Sequence, residues 1–336
     1  MTDATAGIAP FTTRRWLRNG HSMTMYAWAR RRSFGELPAS ERRLFRVSAD
    51  TEVAADCFWQ PDRSGRPLLL ALHGLESSSE AHYMRGLAVQ AVRRGWNAVL
   101  LNQRNCGGTE HLTPGLYHSG LTADPLAVMK ELVDVDGIRD IGVAGYSLGG
   151  NLTMRLAGEL GESQSLPVRG VVAISPTIDL ERCVHAIERP ANIPYQWNFM
   201  RSLRARMRRK VAAWPGSFDV TPLPRIYTIR TFDETYTAPH HGFAGASDYY
   251  FKASAMRVID RIRIPALILA AEDDPFVPGD QFREAVVTGN PHITVRLEPH
   301  GGHCGFISDE PQRQYWAESA AVEFIAYFMR TIELRA

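Results

Sequence analysis

Short runs that are apolar almost from end to end recur along this chain, separated by longer amphipathic stretches. Leu68–Leu72 reads LLLAL and Asn97–Leu101 reads NAVLL, residues 141–144, 170–174 and 266–270 have the same character, and 293–297 (ITVRL) reads as a further strand with polar residues at alternate positions. A strand wetted on one face alternates apolar and polar residues, whereas a strand covered on both faces is apolar throughout. The intervening stretches at 81–94, 125–133 and 148–160, and a last one at 314–332, carry helical periodicity. This rhythm predicts an α/β architecture: a mostly parallel central sheet with helices on both faces. Residues 44–60 instead alternate with few breakers, which predicts an antiparallel pair opening the sheet.

One long stretch breaks the rhythm. Residues 176–261 hold Trp197, Trp214, several tyrosines and many prolines, without a strand–helix repeat. We read a single domain over 1–336, with a core at about 10–175 and 262–336 and a helical lid inserted at about 176–261. Residues 1–9 are small and polar and are expected to fray.

Composition narrows the function classes. A net charge of +2 over 336 residues gives no reason to expect nucleic acid as a partner. The first twenty residues lack the apolar run of a signal peptide, and no stretch reads as a spanning helix. The four cysteines (Cys57, Cys106, Cys183, Cys304) are scattered, so reduced thiols and a cytoplasmic location are expected.

The chemistry is concentrated at strand ends. Gly145-Tyr146-Ser147-Leu148-Gly149 fits G-x-S-x-G between a predicted strand and a predicted helix. That context requires a sharp turn that lifts the serine hydroxyl clear of the sheet, and the glycines remove side chains that would collide there. Ser147 is the expected nucleophile, and the Leu148 N–H, at a helix N-terminus, an expected oxyanion donor. Leu75 N–H, in the loop His73-Gly74-Leu75 after LLLAL, is the expected second donor. His73 itself reads as a loop-holding histidine.

After the strand at 266–270 comes Glu272-Asp273-Asp274-Pro275, and after the strand at 293–297 comes His300-Gly301-Gly302-His303-Cys304. Asp274 is the expected acid, with Asp273 as the alternative. His303 is the expected base, with His300 a poor second. An HxxH metal pair lacks a third ligand at a suitable spacing, so neither metal nor cofactor is expected. Cys304 reads as a small packing residue.

Together HGLESSSEAHYMRGLA, RGWNAVLLNQRNCGGT, GYSLGGN, TFDETYTAPHHGF, SDYYFKAS, ILAAEDDPFVP and EPHGGHCGF resemble the YheT-type, embryogenesis-associated branch of the α/β-hydrolases. The resemblance implies the α/β-hydrolase fold, the triad Ser147–Asp274–His303 and esterase activity, with links to phospholipid or acyl-glycerol hydrolysis. Two departures from the branch stand out. Its HGLEG is here His73-Gly-Leu-Glu76-Ser77, and its N[FH]RGC is here Asn102-Gln103-Arg104-Asn105-Cys106. The missing glycines are expected to alter loop shape and pocket width.

The expected function is therefore serine hydrolysis of short- to medium-chain carboxylic esters through an acyl-enzyme. Acyl transfer on the same residues, phospholipid or acyl-glycerol lipolysis, and a non-catalytic binding protein that has kept the fold are the rivals. Trp197 and Phe199 are expected to touch substrate. The basic run Arg201 to Lys210 reads first as a solvated helix face, and second as a dock for anionic lipid head groups. Within 232–236, the acids Asp233 and Glu234 are expected to fix the lid to the core, with acids offered to the pocket as the alternative. Asp124 and Asp179 read as structural.

Overall fold

The computed structural model describes residues 8–161, 163 and 165–333. Its sheet opens with β1 (Glu41–Ser48) and β2 (Thr51–Phe58), antiparallel across a two-residue turn. Then follow β3 (Leu68–Leu72), β4 (Asn97–Leu101), β5 (Ile141–Tyr146), β6 (Val168–Ile174), β7 (Ala266–Ala271) and β8 (Ile293–Glu298). The eight strands lie in the order β1-β2-β4-β3-β5-β6-β7-β8. β2 runs antiparallel to β4, and every later neighbour is parallel.

The helices are α1 (Gly20–Ala29), α2 (His82–Arg93), α3 (Ala123–Asp134), α4 (Leu148–Leu160), α5 (Leu180–Ile187), α6 (Ile193–Ala213), α7 (Ile229–Phe232), α8 (Ala238–His240), α9 (Ala246–Ala253), α10 (Ala285–Thr288) and α11 (Trp316–Glu333). The apolar strands explain their placement. Leu68, Leu70 and Leu72 of β3 face one core with Val128 and Leu132 of α3 and Leu152 and Leu156 of α4. Leu69 and Ala71 face a second core with Met84 and Leu87 of α2 and Phe324 and Ile325 of α11. A strand whose successive side chains enter two dry layers must be apolar at every position, which is the pattern the sequence carries.

Between β6 and β7 the chain builds α5 to α9 and no strand. The run from Ile229 to His240 stays helical but winds as a π-turn over Asp233–Thr237, between α7 and α8. At the start of the chain, residues 1–7 lie outside the described residues. Ile8 is buried and the Ala9 carbonyl accepts from the Trp316 indole at 2.8 Å, so the expected fraying does not reach these two residues. Among the described residues no helix is long and apolar enough to cross a membrane.

Candidate active site

β5 ends at Tyr146 and α4 begins at Leu148, leaving Ser147 alone to make the turn. It does so at φ 53° and ψ −116°, a strained conformation for a residue with a Cβ. Its N–H is held by the Ile174 carbonyl at 2.8 Å, on neighbouring β6. The flanking glycines are sterically required. A Cβ on Gly145 would sit 2.1 Å from the Gly149 carbonyl oxygen, and one on Gly149 would sit 2.3 Å from that of Leu72. Packing of α4 against β3 and β5 therefore fixes the Ser147 hydroxyl above the carboxyl edge of the sheet.

The loops after β7 and β8 meet it there. His303 Nε2 lies 2.9 Å from Ser147 Oγ, and His303 Nδ1 lies 2.9 Å from Asp274 Oδ2. The second Asp274 oxygen accepts from the N–H groups of Phe276 and Val277, at 3.1 and 3.0 Å. These bonds lock the carboxylate, which is 1% exposed, in the orientation that His303 needs. Burial works against charge on His303, but Cys304 and the Asp274 carboxylate outweigh it and push its pKa up to about 10. The part owed to Cys304 requires a thiolate, so the rise is smaller while that thiol keeps its proton.

The alternatives form a second pair. Asp273 Oδ1 accepts from the N–H groups of Gly301 and Gly302, both at 2.9 Å, and its Oδ2 lies 3.3 Å from His300 Nδ1. This pair shapes the glycine loop and does not touch Ser147. Thr24 of α1 also grips the loop, accepting from the His303 N–H at 2.8 Å.

The loop after β3 brings Leu75 to the same place. On either side of Leu75, the Gly74 N–H donates to the Tyr83 hydroxyl and the Glu76 N–H to that of Tyr117. Among the described residues no partner within the chain takes the N–H of Leu75 or of Leu148, which leaves both free for an oxyanion. His73 is fully buried, facing the Gly74 carbonyl at 2.7 Å and the Gln103 N–H at 3.1 Å. Burial pushes its pKa down to about 4, so it braces the loop as a neutral ring.

With these groups in place the arrangement can deprotonate a serine and hold an oxyanion beside it. A profile of the alpha/beta hydrolase family matches residues 68–318, which include all of them. The chain belongs to the α/β hydrolase family. This α/β hydrolase is 33% identical to YheT of Escherichia coli (strain K12), named as a candidate esterase, with 98% of this chain and 97% of that protein covered. It therefore lies in the YheT-type branch. It is 28% identical to phospholipase ABHD3 of Mus musculus, over 81% of this chain and 67% of that protein. Among solved structures, the esterase Pf2001 of Pyrococcus furiosus aligns with a TM-score of 0.57 at 17% identity, covering 86% of this chain and 93% of that one. That likeness concerns the fold.

The two side chains that stand where the branch has glycine are both hydrogen-bonded in this hydrolase. Asn105 stands where the branch has glycine and keeps a left-handed φ of 65°, which asparagine tolerates. Its side chain then gains work, accepting from Lys210 Nζ at 2.9 Å and donating to the Gly115 carbonyl at 2.9 Å. Ser77, in place of the other glycine, accepts from the Tyr83 hydroxyl at 2.7 Å.

A cavity opens over Ser147, walled by Leu180, Val184, Phe199, Leu203 and Ile229. Phe199 lines it, but Trp197 does not: it is 63% exposed and lies beneath Arg201. Residues two apart on a helix point about 200° apart, so both cannot face one cavity. The basic run is also only partly solvated, contrary to the first expectation. Arg206 is buried against Glu76 at 2.8 Å, and Lys210 is fully buried, reaching the carbonyls of Glu110 and Thr113. Asp233 and Glu234 brace the β6–β7 segment internally rather than to the core. Asp233 accepts from the Tyr250 hydroxyl at 2.7 Å and Glu234 from the Ala246 N–H at 2.6 Å. Asp233 also lines the cavity, where burial pushes its pKa up to about 6. Asp124 holds Arg104 with both oxygens, and Asp179 caps α5.

Thr24, Tyr83, Tyr117 and Phe276 were not singled out from sequence. Phe276, whose ring lies 4.1 Å from that of His303, follows the acid in DDPF and was within reach of a local reading. Tyr83 stands within the segment HGLESSSEAHYMRGLA, nine residues from Gly74, whereas Thr24 and Tyr117 act from farther along the chain.

Proposed function

We propose that this enzyme hydrolyses carboxylic esters through an acyl-enzyme on Ser147, with an apolar acyl chain lying in the cavity beneath residues 176–261. The observation that carries the reading is the line of hydrogen bonds from Ser147 through His303 to Asp274, at 2.9 Å each, opening on an apolar cavity. His303 takes the Ser147 proton as the oxygen attacks the acyl carbonyl. The N–H groups of Leu75 and Leu148 hold the oxyanion, and Asp274 steadies the imidazolium. His303 then protonates the departing alcohol. Water enters, gives its proton to His303 and releases the acid. The names of the relatives, esterase and phospholipase, support the ester class.

In this reading residues 176–261 act as a lid that selects the acyl chain. Each methylene buried against its apolar wall contributes about 0.8 kcal/mol. The test is hydrolysis of a p-nitrophenyl ester series by the parent protein and by Phe199→Ala. The parent profile of kcat/KM peaks at short to medium chains, and the substitution moves the peak to longer ones. A profile that is flat, or unmoved by the substitution, takes substrate choice away from this segment.

A further inference from the structure

We propose that the outer faces of α1 and α6 form a docking surface for an anionic lipid bilayer. Residues 8–35 and 189–218 together hold thirteen of the 38 basic residues of the chain and none of its 36 acidic ones. These segments carry that excess in a protein whose net charge is only +2, and carboxylates of other segments meet four of the thirteen, Arg14, Arg32, Arg206 and Arg209. Arg206 and Lys210 are used inside the fold, but Arg15, Arg18, Arg31, Arg201 and Arg208 are exposed and, among the described residues, pair with no carboxylate.

Aromatic exposure coincides with that charge. α1 packs Met23, Thr24 and Ala27 inward and turns Met25 and Trp28 outward, at 46% and 62% exposure, with Trp16 close by at 62%. On α6, Ile193 and Trp197 are one turn apart, at 56% and 63% exposure, and Arg201 follows on the same stripe. α1 and α6 touch where His21 meets Tyr195, 3.1 Å apart with stacked rings, on the side of α6 opposite Ile193 and Trp197. Exposed tryptophans ringed by arginines suit the boundary between head groups and acyl chains, where the indole sits at the interface and the cations meet lipid phosphate. From that contact, Tyr195 packs on Phe276 and Phe276 on His303, so the meeting point of the two helices adjoins the reacting groups.

The surface deepens the ester reading by naming where its substrates would reside, but binding to it does not require turnover. The test is cosedimentation of the intact protein with vesicles of phosphatidylcholine alone and of phosphatidylcholine mixed with phosphatidylglycerol. Binding is expected to the mixed vesicles only and to weaken with salt. The double variant Arg31→Glu, Arg201→Glu should lower it at least about tenfold. Trp28→Ser should weaken binding at any salt concentration. All of these variants should hydrolyse soluble p-nitrophenyl acetate at the parent rate, and Ser147→Ala should bind vesicles as the parent does. Absence of binding, equal binding to neutral vesicles, or binding untouched by the double variant would overturn the surface, and retention on polyanions without vesicle binding would assign the charge to another partner. Vesicle binding by a parent without esterase activity would leave the surface standing and remove the ester reading.

Discussion

Asp273 and Asp274 have the same side chain and adjacent backbones, yet the turn after β7 sends them to different histidines. Asp274 meets His303 at 2.9 Å, while Asp273 caps the N–H groups of Gly301 and Gly302. Asp274→Asn should therefore cost about 10³- to 10⁴-fold in kcat on a soluble ester. Asp273→Asn should keep activity within about tenfold and instead lower stability by about 1 kcal/mol, read as a shifted urea midpoint. Equal losses of activity would contradict the pairing. A second consequence concerns pH. A base must be neutral to accept the Ser147 proton, and the environment of His303 raises its pKa, to about 10 with Cys304 contributing. Imidazolium therefore persists to higher pH than for a free histidine. The acid limb of the kcat/KM profile should lie above pH 6.5, the ordinary histidine value, and a limb at or below that value would contradict the raised pKa.

Among the elements, α6 differs most from its appearance in sequence. Six basic residues within ten positions look like a wetted face, but Arg206 and Lys210 point inward. Arg206 meets Glu76, which also accepts from the Tyr117 hydroxyl at 3.0 Å, and the guanidinium lies 4.7 Å from the Tyr117 ring centroid. Removing one member of a buried pair strands the other charge. Arg206→Met should accordingly destabilise the protein by about 3 kcal/mol or more, whereas Arg208→Ala on the exposed face should stay within about 0.5 kcal/mol. Urea unfolding distinguishes them, and equal small effects would mean that Glu76 finds another partner. The sequence displayed the charges but not the partners, because Glu76 and Asn105 lie about a hundred residues away. The glycine turn at Ser147 was legible for the opposite reason. Its constraint is local, and Gly145 and Gly149 stand within two positions of the residue they serve.

At the scale of the whole molecule, the rhythm of apolar runs already carried the mostly parallel sheet and its two covered faces, since every strand that enters two dry layers must be apolar throughout. The site groups predicted at strand ends converge because a parallel sheet aligns its carboxyl edges. Less legible was the contribution of the N-terminal segment. Thr24 reaches His303 across 279 positions, and nothing near it in sequence announces that contact. The proposed role of Ser147 as nucleophile is tested by labelling the intact protein with a fluorophosphonate and mapping the adduct by peptide mass spectrometry. The adduct should fall on Ser147 alone, and Ser147→Ala should lose both the label and at least about 10⁴-fold in ester hydrolysis while remaining folded. A label on another residue, or hydrolysis that survives Ser147→Ala, would contradict that role.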